Sequence, residues 1–172
     1  MVIVIKMVPK KYLSKQSISN VVWYIYNGAM DLPREERITG SSGLLCGCNP
    51  QAVIQEMMQT KRLYEAEDGN QLKHIVISFG EKLDLPRKKM RRLIERTVVF
   101  WKERYQMYYG VHYHENDKGE PNFHIHIMLN TVNMKNGGKM DSDLHDWYTF
   151  CKKTRRTWEK ALKEENSSGA CE

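Results

Sequence analysis

The pattern of apolar and polar positions predicts eight elements, in the order strand, helix, helix, strand, helix, strand, strand, helix. Strands are predicted where apolar residues run together or alternate with polar residues, and helices where apolar residues recur every three or four positions. The predicted strands cover residues 2–8, 74–79 and the two halves of 109–130. The predicted helices begin near residues 17, 50, 86 and 141, and the third of them reaches about residue 106. A loop rich in glycine and serine is predicted at residues 31–50.

Residues that favour helix starts lie at each predicted helix boundary. Serine and aspartate accept hydrogen bonds from the first free backbone N–H groups of a helix, and proline suits its first position. The residues expected to fill these roles are Ser17 or Ser19, Pro50, Pro86, and Asp141 or Ser142.

The stretch of residues 109–130 carries two His-x-His pairs, His112/His114 and His124/His126. In a strand, residues two apart point to the same face. The polar run at residues 115–122 reads as a hairpin loop, so up to four imidazoles are expected to converge on one face of the hairpin. The intervening positions are mostly apolar and face a core. Because neutral imidazole is the commonest metal ligand, the pattern predicts a metal site.

The element order predicts an α+β fold with a central antiparallel sheet. Strands from separate parts of the chain must share one sheet, with helices packed on one of its faces and the histidine hairpin near its centre. We expect one domain at residues 1–165 and a flexible tail at residues 166–172.

Charge narrows the class of partner. The chain has 27 Lys and Arg against 21 Asp and Glu, a formal charge of +6, which favours an anionic partner such as nucleic acid or an acidic membrane surface. No apolar run is long enough to span a membrane and no leader pattern is seen, so we expect a cytoplasmic protein.

Cys46 and Cys48 are too close together in the sequence to form a usual zinc knuckle. Basic residues crowd the third helix, either as a solvated face or as phosphate contacts.

A metal patch alone does not define a reaction, because hydrolysis or transfer also needs a nucleophile. The chain shows neither a Ser-His-Asp spacing nor the His-Glu-x-x-His pair of zinc proteases. Tyr24 and Tyr26 on the first helix are candidates, although a phenol attacks poorly unless a cation or a base helps to remove its proton. Because side chains two residues apart on a helix point to different faces, only one of these two tyrosines can face the metal.

Four segments together resemble the catalytic domain of plasmid and conjugative-transposon relaxases, the mobilisation nucleases of the His-hydrophobe-His superfamily. NVVWYIYNGA resembles the first motif of that family, and HIVISFGE resembles the second, a strand ending in Ser-Phe. GVHYHENDKGEPNFHIHIMLNTVN resembles the third, a histidine followed by a loop, a His-x-His pair and an asparagine. CNPQAVIQEMMQTKRLY resembles the segment between the first two motifs.

The resemblance implies roles for individual residues. Tyr24 takes the nucleophile position, with Tyr26 as runner-up, and His124 and His126 are metal ligands. His112 matches the third ligand, with His114 as the alternative. The metal implied is Mg²⁺ or Mn²⁺, although histidine ligands also suit Zn²⁺. Glu81 or Glu115 could position or deprotonate groups. The expected DNA contacts are Ser78, Arg87, Lys88, Arg91, Arg92 and Asn130.

The activity implied is nicking of single-stranded DNA at an origin of transfer through a 5′-phosphotyrosine ester, which initiates conjugative mobilisation. Accessory relaxosome proteins and a coupling protein would be partners. The nearest alternative is a replication initiator or transposase of the same superfamily, but those proteins usually place the His-x-His motif before the tyrosine. A non-catalytic DNA-binding accessory protein would bind without a covalent adduct, and a hydrolase of small molecules would leave the basic helices unexplained.

Overall fold

A computed structural model describes residues 2–80, 83, 85–115, 121–140 and 144–168, without the side chains of residues 114, 115, 121, 122 and 165–168. The described residues form five strands and four helices. In chain order these are β1 (Ile3–Met7), α1 (Ser17–Met30), β2 (Thr39–Ser42), α2 (Pro50–Leu63), β3 (Leu72–Phe79), α3 (Arg87–Val98), β4 (Met107–Glu115), β5 (Pro121–Asn130) and α4 (Leu144–Ser168).

The strands form one antiparallel sheet in the order β1-β3-β5-β4-β2. β4 and β5 pair as the predicted hairpin, and β5 is the middle strand. The α+β class, the antiparallel sheet and the central position of the histidine hairpin are therefore confirmed.

Helices cover both faces of the sheet, so the expectation that they lie on one face is wrong. The apolar positions of β3, β4 and β5 form one core with α3 and α4. A second core lies on the histidine face, where Leu72, Tyr108 and Met128 of the sheet pack against α1 and α2. These three side chains share the face of the histidines but lie toward the opposite end of the strands, and they need a cover of their own.

Several element boundaries differ from those predicted. β2 lies inside the predicted loop, because its sequence Thr-Gly-Ser-Ser has no apolar alternation and it forms a short edge strand on β4. α3 ends at Val98, and turns then carry Trp101 and Tyr105 into the core at a nearly helical spacing. β3 begins two residues earlier than predicted. α4 continues to Ser168, three residues past the predicted domain boundary.

The structure agrees with some of the predicted helix starts and differs from others. Pro50 is the first residue of α2, and the Asn49 side chain caps that helix by accepting a hydrogen bond from the Ala52 N–H. α1 begins at Ser17 without a side-chain cap, so neither predicted serine caps it. Pro86 directly precedes α3. Asp141 and Ser142 lie outside the described residues.

None of the helices within the described ranges has the length and hydrophobicity needed to cross a membrane.

Candidate active site

Three histidines of the hairpin lie side by side on the face of the sheet that α1 covers. His112 of β4 is directly opposite His124 of β5, and His126 follows two residues further along the same strand. The ring centres of His112 and His126 are 4.3 Å apart, and those of His124 and His126 are 6.0 Å apart. His112 and His126 are buried, while His124 is half-buried. The sheet register thus assembles the predicted imidazole group.

A fourth imidazole, that of His74 on β3, joins this group from the neighbouring strand. Its Nε2 lies 3.0 Å from Nδ1 of His126, and its Nδ1 lies 3.2 Å from the hydroxyl of Tyr12. Burial, together with the nearby charge of His112, lowers the pKa of His74 to about 4. His74 is therefore neutral at pH 7, so one ring nitrogen donates a hydrogen bond and the other accepts one.

Tyr24 of α1 lies directly over the imidazoles. Its ring centre is 5.0 Å from that of His112, 5.3 Å from that of His126 and 6.2 Å from that of His74. The residue is 45% exposed. Burial of the remainder raises the pKa of Tyr24 above its ordinary value of 10.0. An attack by this phenol therefore needs help in losing its proton.

Tyr26, the second candidate nucleophile, points elsewhere. Its ring packs edge-on against Trp23 at 5.6 Å and lies against the core beneath α1 and α2. The buried stripe of α1, which includes Ile18, Val22 and Ile25, fixes the rotation of the helix and brings only Tyr24 over the histidines.

Two glycines allow α1 to lie unusually close to β4. A Cβ at Gly28 would come within 2.4 Å of the His112 ring, and a Cβ at Gly110 within 2.7 Å of the Ile25 side chain. At this close approach, Nε2 of His112 donates a hydrogen bond to the Ile25 carbonyl at 2.9 Å. The contact fixes His112 against the helix that carries Tyr24.

An open cleft of about 520 Å³ leads to Tyr24 and the histidines. His74, His124 and His126 line it, and none of the described residues in its wall is acidic. Lys6 and Lys10 line it as well, and the polar groups of Ser17 and Asn20 complete its rim. Positive charge beside Tyr24 suits an anionic substrate such as a phosphodiester.

The imidazole nitrogens of the cluster are of a type that suits a metal ion, but the side chains do not converge on one point as a complete metal site would. Within the described ranges, no three His, Cys, Asp or Glu side chains are arranged to hold one metal ion. The hydrogen bonds identify the nitrogens that could serve, because ligating histidines commonly donate their other ring N–H to a protein acceptor. By this rule His112 would bind through Nδ1, and His126 through Nε2. The side chains of His114 and Glu115, and all of Glu81, lie outside the described residues.

The expected DNA contacts are spread over different parts of the molecule. Ser78 lies on the histidine face, directly opposite His124 in the register. Asn130 is fully buried and donates hydrogen bonds to Gln106 Oε1 and the Met57 carbonyl. The expectation that Asn130 contacts DNA is therefore wrong, since its amide joins α2 to the sheet.

The basic residues of α3 lie across the sheet from the histidines, because α3 packs on the other face. Arg87 and Arg91 donate hydrogen bonds to the carbonyls of Arg37 and Thr39 at the β2 edge. Lys88 and Arg92 are exposed. None of the four is among the residues that line the cleft.

The sequence motifs assign no role to His74, Tyr12 or Gly28, although His74 opens HIVISFGE and Gly28 lies within NVVWYIYNGA. In HIVISF, the positions of His74, Val76 and Ser78 alternate with apolar residues, so they share a face. That alternation signals a second histidine-bearing strand. The register that brings His74 beside His126 is not visible in it, and no motif distinguishes Gly28 or Tyr12.

Comparison with curated proteins gives no match. The model of one protein family, described as "Relaxase: MobA/VirD2-like, nuclease domain", matches residues 24–164 of the 172. The match begins at Tyr24 and includes all four histidines of the cluster. With its antiparallel sheet, its paired histidines and a tyrosine over them, the chain belongs to the MobA/VirD2-like relaxase family and contains the nuclease domain of that family.

Proposed function

We propose that this protein nicks single-stranded DNA at an origin of transfer and stays covalently attached to the 5′ end of the cut strand, initiating conjugative mobilisation. The observation that carries the proposal is the contact of the Tyr24 ring with three imidazoles. A half-exposed phenol beside a cationic cleft supports a phosphodiester substrate rather than a neutral one.

The chemistry is a transesterification at phosphorus. The Tyr24 oxygen forms a bond to phosphorus as the bond from phosphorus to the 3′-oxygen breaks. The phenolic proton passes to water, and the leaving 3′-oxygen takes up a proton to become a hydroxyl. The phosphotyrosine ester keeps the phosphodiester bond energy, so the later joining step needs no nucleotide cofactor. Lys6 and Lys10 offset the charge of the bound strand, and Ser78 contacts it beside His124.

A divalent metal, Mg²⁺ or Mn²⁺, is proposed as cofactor, with Zn²⁺ as the transition-metal alternative. His112, His124 and His126 would hold it, and they fit in donor type and in their shared face. Such a metal stabilises the charge that develops on the phosphoryl oxygens and makes the phenol easier to ionise. Relaxosome accessory proteins and a coupling protein are the proposed partners, and the cytoplasm the proposed location.

A covalent-capture experiment tests the reaction without knowledge of the origin sequence. The protein is mixed with Mn²⁺ and a random single-stranded library labelled at its 3′ end, because the protein would retain the downstream fragment. Wild-type protein is expected to give a labelled adduct that survives SDS. Tyr24→Phe should abolish the adduct, and the matched variant Tyr26→Phe should retain it. An adduct formed by Tyr24→Phe would exclude Tyr24 as the nucleophile.

The same experiment separates the competing functions. A DNA-binding accessory protein would retain the library on a filter but give no adduct that survives SDS. A replication initiator or transposase would also form the adduct. Repeating the capture with origin-of-transfer DNA and with replication-origin DNA in place of the random library distinguishes these, since a relaxase should form the adduct on the first.

A further inference from the structure

A second large groove lies between α3 and α4, on the face of the sheet opposite the histidines. It has a volume of about 610 Å³, and four basic side chains line it, Arg96, Arg104, Lys153 and Arg156. Threonines of both helices also line it. We refer to it as the α3–α4 groove.

The positive charge of the α3–α4 groove is largely uncompensated. Asp146 is the only carboxylate among the described residues that line it, and it forms an ion pair of 2.7 Å with Arg104. Within the described part of the chain, no ion pair involves Arg96, Lys153 or Arg156. All three side chains are exposed, and the Lys153 ammonium lies 5.4 Å from the Phe100 ring centre, so their positive charge is open to an anionic ligand.

A row of basic side chains leads into this groove along α3. Lys88, Arg92 and Arg96 are all exposed and lie four residues apart, so they share one side of the helix. Glu95 is the only acidic residue among the twelve of α3. The row begins near the β2 edge of the sheet, where Arg87 and Arg91 are bonded to backbone carbonyls.

We propose that the α3–α4 groove is a second DNA site, which binds the phosphate backbone of the strand flanking the nick. Its arginines and lysine can donate hydrogen bonds to phosphate oxygens, and contacts to phosphate carry no sequence information. The strand would reach it around the β2 edge along Lys88 and Arg92. The groove thus adds affinity without sequence preference, and the cleft with Tyr24 performs the chemistry.

The inference rests on the proposed DNA substrate, and its test uses binding rather than cleavage. Affinity for a fluorescent single-stranded oligonucleotide of mixed sequence and about thirty nucleotides is measured over a range of salt concentrations. The variant Lys153→Gln/Arg156→Gln removes two groove cations. The control Lys152→Gln/Arg155→Gln removes the same charge from exposed positions of α4 outside the groove.

The groove variant should bind more weakly and lose about 1.4 from the slope of log affinity against log salt, since each phosphate contact to a single strand contributes about 0.7. The control should keep the wild-type slope.

Equal slopes for the two variants would overturn the proposal. Loss of binding to polyglutamate without loss of DNA binding would also overturn it, and would assign the groove to an acidic protein segment. Neither result affects covalent capture by Tyr24, so failure of the groove and failure of the nicking reaction are distinguishable.

Discussion

Nε2 of His74 lies 3.0 Å from Nδ1 of His126, which makes a strand outside the hairpin part of the candidate site. The Tyr12 hydroxyl continues the chain on the far side of His74. A neutral imidazole carries one ring proton, so the direction of this chain sets which nitrogen of His126 keeps a lone pair. If His126 donates to His74, its Nε2 carries the lone pair that the proposed metal would need.

Replacing His74 should slow nicking by disturbing His126. His74→Leu removes the contact to His126, and the adduct rate is expected to fall about 10- to 100-fold, as for other residues that orient a ligating histidine. Tyr12→Phe keeps the bond between the two histidines, so its effect should be smaller. Rates are compared at saturating DNA, with DNA affinity and the thermal midpoint measured in parallel. If His74→Leu weakened DNA binding but kept the wild-type rate at saturation, the positioning role would be disproved.

Gly28→Ala should damage the site while leaving the fold intact. The new methyl group would overlap the His112 ring at 2.4 Å, so the ring or the helix must move. Alanine also favours the helix over glycine by about 1 kcal/mol, which offsets part of the strain. We expect the adduct rate to fall at least tenfold while the thermal midpoint changes by only a few degrees. Gly80→Ala is the control, because its nearest atom lies at 3.9 Å. Equal rates for both variants would contradict the tight packing of His112.

The choice between His112 and His114 as third ligand can be made by measuring metal binding. His112 lies inside the cluster, 4.3 Å from His126, and its Nε2 is held by the Ile25 carbonyl. Titration calorimetry with Mn²⁺ should therefore show a large loss of affinity for His112→Ala and little change for His114→Ala. Chelation by EDTA should stop adduct formation and added Mn²⁺ should restore it. The reverse order of affinities would assign the third ligand to His114.

The sequence predicts the hairpin and its histidine face because a period of two is encoded locally. Tyr24 and Tyr26 are equivalent in the helical pattern, and the resemblance to relaxases singles out Tyr24, which the fold places over the imidazoles. The position of His74 beside His126 depends on the register of β3 against β5. This register pairs residues about fifty positions apart, and no local pattern encodes it. The sequence does not predict β2 for the same reason, since its pairing with β4 rather than its composition makes it a strand.

Asn130 shows where a motif misleads. Its position after the His-x-His pair suggests a contact with the substrate, yet it is fully buried beside Gln106 at the opposite end of the strand from His124. The strand passes from the open cleft into the core within a few residues. Whether a residue of this strand belongs to the site or to the core therefore depends on how far it lies from the open cleft, and the motif does not encode where the cleft ends.

Lys61 is a buried lysine on α2 that lies outside the candidate active site. It is fully buried, and its ammonium group donates a hydrogen bond of 3.2 Å to the Thr131 hydroxyl. Burial, with a smaller effect from the charge of Lys139, lowers the pKa of Lys61 from 10.5 to about 8. Between pH 8 and 10.5, the unfolded chain holds a proton that the folded chain has released. The free energy of unfolding should therefore rise with pH across this window, and the cost of the buried charge is fully present below pH 8.

Lys61→Met should remove this pH dependence. Methionine has a similar length and no charge, and the Thr131 hydroxyl keeps its own bonds to the carbonyls of Asn70 and Gln71. At pH 7 we expect the variant to be as stable as the wild type or more stable, by up to about 3 kcal/mol given a pKa shift of this size. Urea unfolding at pH 7 and pH 9.5 measures the change, with the exposed Lys135→Met as control. The variant should gain less stability between the two pH values than the wild type or the control. A variant that is less stable at pH 7 and keeps the wild-type pH dependence would show that the charge of Lys61 stabilises the fold.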